Sequence, residues 1–225
     1  MSRADRLRWW LSGIGQLMIT LGVVLLLFCV YELWVTGLYT EQQQKKLDKQ
    51  LIQTWSAPPP KSTTVLAPYK DGEGIARIYL PTLGKDQVHV VVEGVSHEDL
   101  KKGPGHVPGT DLPGQIGNMV ISGHRTTYGA PFNRLDEVHL GDPIVLETRT
   151  SFFTYRVIRS FVVDPTAVGE TDHVPNQPQA TPTQRLLTLT TCNPKYSARQ
   201  RLILRAVLQS TLAKGPGVVP PALEH

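Results

Sequence analysis

The apolar positions follow three different rules along the chain. From Trp9 to Tyr31 no charge interrupts, and the densest part reads GVVLLLFCVY. A helix of about 20 apolar residues crosses a hydrocarbon layer of about 30 Å. The stretch therefore predicts one transmembrane helix at residues 9–31. A cleaved leader would have an apolar core of about 7–15 residues and then a small-x-small site. The next residues, ELWVTGLYTEQQQKK, offer no such site, so the helix reads as an uncleaved anchor. Arg3, Arg6 and Arg8 precede it closely, whereas Lys45, Lys46 and Lys49 come only after a gap. The positive-inside bias puts residues 1–8 in the cytoplasm and the rest outside the cell membrane, as a single-pass protein. Trp9, Trp10 and Trp34 fall near the two interfaces, where indoles are favoured.

Residues 32–73 are mostly polar. Leu47, Leu51 and Trp55 recur every four residues, a helical stripe. Its expected role is an exposed, partly frayed stalk. Pro58, Pro59 and Pro60 end any helix and stiffen a linker. From Gly74 the period changes again. IARIYLP, VHVVVEG, GNMVISGH, DPIVLET, FFTYRVIRSFVV, RLLTLTTC and RLILRAVL are short apolar or β-branched runs punctuated by Gly, Pro and Asp. That is an all-β pattern at barrel or sandwich spacing, covering residues 74–210. SHEDLKKG and PFNRLDEV are short helix candidates, with Ser96 as N-cap of the first. DPTAVGETDHVPNQPQATPTQ has no period and is long for a passive connection, so it reads as a wall of a binding site. Residues 211–225 are expected to be a disordered tail.

Composition narrows the function. The chain has 225 residues, 40% hydrophobic, enough for one domain with accessories. Net charge is +4, with no dense basic tract interleaved with aromatics, so nucleic-acid binding is not indicated. Of two cysteines, Cys29 lies in the span and Cys192 in the soluble part, so they cannot pair. Cys192 is a free thiol, either a small buried core residue or a nucleophile.

The nucleophile reading has support from position. In RLLTLTTC, strand alternation puts Leu187, Leu189 and Thr191 on one face, and Leu186, Thr188, Thr190 and Cys192 on the other. Cys192 thus ends a strand, where a side chain reaches a cleft. Of seven histidines, His124 alone closes an apolar run in the same way, at the end of GNMVISGH. Sequential strands commonly neighbour each other, which would set Arg201 beside Cys192. Arg199 remains an alternative. A thiol, an imidazole and a fixed cation suit acyl transfer. One cysteine with scattered histidines gives no zinc-ligand spacing, and without Cys-x-x-Cys a thiol oxidoreductase is not indicated. The Ser-His-Gly-Cys arrangement of L,D-transpeptidases is missing.

TLTTC followed by Arg201, together with GNMVISGHRTTYGAPFNRLDEVHLGDPIV, resembles the sortases, membrane-anchored cysteine transpeptidases of Gram-positive bacteria. The resemblance covers roughly residues 74 to 210. It implies a closed eight-stranded sortase-type β-barrel, with Cys192 as nucleophile, His124 as general acid and base, and Arg201 as oxyanion and substrate clamp. SGHRTTYGAPF and TCNPKYSARQRLI are most similar to class E sortases of actinobacteria. That class implies a C-terminal sorting motif Leu-Ala-x-Thr-Gly, cut between Thr and Gly and passed to an amine of a cell-wall precursor. It also implies that Tyr128 recognises the Ala and that Thr191 orients the substrate; Thr190 and Asn193 are lining candidates. The implied partners are surface proteins carrying a sorting signal. Acidic residues are sparse in DPTAVGETDHVP, so no metal and no cofactor are expected. The alternatives are a pilin-polymerising sortase with a lysine acceptor and an inactive sortase-like binding module.

Overall fold

Alternating β-branched runs bury one face each, and closing them on themselves removes every exposed edge. The computed structural model describes residues 3–31, 36–57 and 69–224, with the backbone alone at 4–7. Trp34, Pro58, Pro59 and Pro60 lie outside the described residues. The strands are β1 (Gly74–Tyr79), β2 (Val88–Glu93), β3 (Gly105–His106), β4 (Gly117–Ser122), β5 (Pro143–Glu147), β6 (Ser151–Val163), β7 (Arg185–Asn193) and β8 (Gln200–Ala213). They close into a barrel in the order β1-β2-β3-β4-β7-β8-β6-β5. The pairs β2–β3 and β4–β7 are parallel and the others antiparallel. Ile78, Val91, Ile121, Ile144, Leu146, Leu187, Leu189 and Leu204 fill the interior.

Two helices precede the barrel. α1 (Arg3–Val30) contains a 23-residue stretch, Arg8–Val30, long and apolar enough to cross a membrane, with none of its window buried in the protein. α2 (Thr36–Ser56) corrects the stalk reading. Leu47 and Leu51 are buried against Val90 and Val92 of β2, with Trp55 packed beside them. Arg77 of β1 holds Asp48 at 2.6 Å, and the Arg77 and Lys214 cations lie over the Trp55 ring. The amide of Gln44 donates to Val90 O at 3.0 Å and Lys102 O at 2.8 Å, and accepts from Val90 N at 2.7 Å. β3 has only two residues, opposite Val92 and Glu93, so the Val90 peptide groups lack a strand on that side. Gln44 supplies the missing donor and acceptor.

SHEDLKKG forms α3 (His97–Leu100), capped by Ser96 Oγ, which accepts from Asp99 N at 3.2 Å. PFNRLDEV forms only a 3-10 turn, Leu135–Glu137. The expected tail is partly ordered. β8 runs to Ala213, and Pro221–Leu223 form one 3-10 turn beside a buried Pro220.

Candidate active site

β7 reaches the site along its outer face. Leu187, Leu189 and Thr191 point into the barrel and are buried, while Thr188, Thr190 and Cys192 lie on the other face. β8 runs back antiparallel, with Thr188 opposite Arg205, Thr190 opposite Ile203 and Cys192 opposite Arg201. Residues directly opposite share a face, so the outer face carries Arg205, Ile203 and Arg201 beside the β7 residues.

The long loop between β6 and β7 covers the near end of that face. Its turn Val168–Thr171 carries Glu170, which is buried and paired with Arg205. Asn118 of β4 donates to the Glu170 and Asp172 carbonyls, both at 3.0 Å, and accepts from Thr188 Oγ1 at 2.7 Å. A buried charge pair needs further hydrogen bonds to offset its lost hydration: Asn176 Nδ2 donates to Glu170 Oε1 at 2.8 Å, and Arg205 Nε donates to Thr188 Oγ1 at 3.4 Å. The loop is therefore fixed, and the face emerges from under it at Cys192.

β4 delivers the histidine. It runs parallel to β7, with Ser122 opposite Thr190, so both strands end at the same rim. Gly123 N donates to Thr190 O at 3.1 Å, and Thr191 Oγ1 donates to Gly123 O at 2.7 Å. Gly123 must be glycine here, because a Cβ would come within 2.6 Å of the Phe132 ring. His124 is next in the chain. It lines one groove of about 500 Å³ with Arg125, Thr126, Cys192, Tyr196 and Ser197. His124 Nε2 is buried with no hydrogen-bond partner among the described residues. Burial, and secondarily the charge of His97, hold its imidazole below the usual histidine range.

The residues expected from the sequence divide by position. Cys192 and His124 share the groove. Arg201 is opposite Cys192 in register, its Nη1 donating to Ala198 O at 2.9 Å and Gln200 O at 3.0 Å. Arg199 lies in the connecting loop, exposed, off the ladder. Tyr128, at a left-handed φ of 51°, packs its ring on His124 with centroids 5.1 Å apart. Thr190 is half-buried, on the face of Cys192. Asn193 donates to Gln200 Oε1 at 3.3 Å across the hairpin mouth. Thr191 is 2% exposed and turned into the barrel, so it ties the strand end of Cys192 to that of His124 rather than lining the groove.

Two neighbours escaped the sequence reading. Arg125, directly after His124, is 3% exposed and pairs with Asp136 at 3.0 Å, its Nε and Nη1 unpartnered. The only sequence signal was a cation beside a candidate base. His97 sets its ring edge-on to Tyr128, 5.9 Å away. Among the described residues, no group of three or more His, Cys, Asp or Glu side chains could hold a metal ion.

A sequence model described as a sortase domain matches residues 78–209. Sortase SrtE1 of Streptomyces coelicolor is 33% identical over 200 residues, 85% of this chain; the chain spans 55% of that relative's length. The structure of sortase E from Streptomyces avermitilis aligns with a TM-score of 0.63 at 40% identity, covering 69% of this chain and 100% of that one. Sortase E1 from Streptomyces coelicolor with a tripeptide in its active site aligns at 0.62 and 32% identity, covering 69% and 99%.

Proposed function

The chain belongs to the sortase family, and we propose that it is a membrane-anchored cysteine transpeptidase of the class E type. The observation that carries this reading is the convergence of Cys192 and His124 on one groove, with Arg201 opposite Cys192 in the β7–β8 ladder.

The positions set the chemistry. His124, favoured as neutral imidazole, takes the proton of the Cys192 thiol. Sγ attacks the Thr carbonyl of a sorting motif, and negative charge builds on the carbonyl oxygen. Arg201 stabilises that oxyanion, which requires its guanidinium to turn from the Ala198 and Gln200 carbonyls. The Thr–Gly bond breaks as the imidazolium returns the proton to the leaving Gly amine, leaving a Cys192 thioester. An acceptor amine then attacks the thioester and loses its proton to His124; the C–S bond breaks as the new amide forms, and His124 returns the proton to Cys192 Sγ. A cell-wall precursor is the proposed acceptor and surface proteins with a C-terminal sorting signal are the donors. Tyr128 stands on His124 where it can read the small second residue of Leu-Ala-x-Thr-Gly. The solved relative with a tripeptide in its active site supports a peptide groove. With the arginine-flanked N-terminus in the cytoplasm, α1 holds the barrel at the outer face of the membrane.

The test uses the full chain in detergent with peptides containing Leu-Ala-x-Thr-Gly or Leu-Pro-x-Thr-Gly and a glycine amine, followed by mass spectrometry. The expected outcome is cleavage after Thr with amine capture, faster for the Ala peptide and abolished in Cys192→Ala. An intact peptide together with a Cys192 that resists alkylation would overturn the reading. Preference for the Pro peptide would overturn only the class.

A further inference from the structure

Three rings stand in a row at the catalytic rim. His97 meets Tyr128 at 5.9 Å and 87°, edge to face, and Tyr128 lies on His124 at 5.1 Å and 40°. Lys101 Nζ sits 5.9 Å from the centre of the Tyr128 ring. The turn that bears His97 is held from outside. Thr40 Oγ1 donates to Lys101 O at 2.8 Å, and Gln44 Nε2 to Lys102 O at 2.8 Å, so α2 grips the residues just after α3. His97 is therefore presented from a fixed support, although its side chain is exposed.

The charges around it single it out. Lys101 is paired with Glu98 at 2.6 Å and Lys102 with Asp99 at 3.2 Å. His97 makes no ion pair among the described residues, and its one acidic neighbour, Glu98, is paired with Lys101. The titratable and charged groups around His124 are Arg125 and Tyr128 from its own loop, His97 from α3, and Cys192 and Tyr196 across the groove, with Lys101 over the Tyr128 ring. Arginine and lysine stay charged through the neutral range, whereas histidine changes charge within it.

We propose that His97 is a positioning residue of the catalytic pair: it props Tyr128 against His124, and its charge biases His124 toward the neutral imidazole that can accept the Cys192 proton. The role rests on the transpeptidase reading, but the coupling does not. The lowered affinity of His124 for protons, to which His97 contributes after burial, agrees with it.

The experiment is a titration of the histidine ring signals by NMR on the full chain in detergent, with a parallel pH profile of kcat/KM on the Ala peptide. His97→Phe keeps a ring without a charge, and His97→Ala removes both. A unit charge about 10 Å away in water moves a midpoint by about 0.3 pH units. The His124 midpoint and the acid limb should rise by that amount in both variants. At 1 M salt, where the screening length is about 3 Å, the wild-type midpoint should rise to meet them. His97→Ala should also lose several-fold in kcat, with His97→Phe restoring it. Coincident His124 midpoints in wild type and His97→Phe at both salt levels would overturn the proposal. A midpoint that shifts while no peptide is cut would sink the enzymatic reading and leave the coupling standing.

Discussion

Arg201 faces Cys192 across the ladder, while its guanidinium is engaged by the carbonyls of Ala198 and Gln200. These are exchangeable partners at an exposed loop, so the side chain can swing to an oxyanion without leaving a buried donor unpaired. Removing one oxyanion donor costs about 10²–10³ in rate. Arg201→Ala should therefore lower kcat on the Ala peptide by that factor, with its melting temperature unchanged. Arg199→Ala, off the ladder, should stay within about twofold by the same steady-state assay; equal losses would show that register does not select the cation. Strand parity made much of this legible. The alternation in RLLTLTTC already separated Leu187, Leu189 and Thr191 from Thr190 and Cys192, and the structure keeps that division. The same parity turns Thr191 inward, where it bonds Gly123 O. His97 was illegible because nothing local connects it to His124, 27 positions on. Their link is a third ring on a turn with positive φ.

At the scale of elements, the barrel could be read because each strand carries its own period. The partner of α2 could not. The stripe Leu47, Leu51 and Trp55 announces an apolar face but not what covers it, and a stripe spaced four apart looks alike on a stalk and on a docked helix. The deciding residue is Gln44, which reads in sequence as one of three consecutive glutamines. Its amide replaces a strand where β3 is too short, a consequence of a barrel built far downstream. Gln44→Leu would leave the Val90 N–H without a partner in a region where Val90 is 4% exposed. An unsatisfied buried group costs about 1–3 kcal/mol. Gln44→Leu should therefore lower the melting temperature by about 2–12 °C, at about 2–4 °C per kcal/mol for a protein of this size. Glu41→Ala, whose Lys45 pair is exposed, should leave it nearly unchanged. Equal melting curves for Gln44→Leu and wild type would mean that α2 rides on the barrel without stabilising it.

For the whole molecule, the joint between anchor side and barrel is also an acid-sensitive point. His89 of β2 lines a pocket of about 320 Å³ with Gly37, Thr40 and Gln44 of α2 and with Tyr128 and Pro131 of the catalytic loop. Its Nε2 is buried with no partner among the described residues. Burial pushes its titration down from 6.5 to about 4, because a charged ring there loses its water, and the Glu41 carboxylate that lines the same pocket is already paired with Lys45. Above pH 6.5 both folded and unfolded chains hold a neutral ring, and stability is at its full value. Between about 6.5 and about 4 the unfolded chain takes up a proton that the folded chain refuses, so stability falls with pH across that window. At pH 4.5 the loss from this one group reaches about 2–3 kcal/mol, since each pH unit below the unfolded midpoint costs about 1.36 kcal/mol. Urea unfolding of the full chain at pH 7 and pH 4.5 should show a drop larger by that amount in wild type than in His89→Leu, which has nothing to protonate. Parallel drops would place the acid-sensitive step elsewhere. Because His89 lines one pocket with α2 and the loop of Tyr128, its protonation should loosen the grip of α2 together with the support of His124. Activity at pH 4.5 should then recover in His89→Leu further than the titration of His124 alone allows.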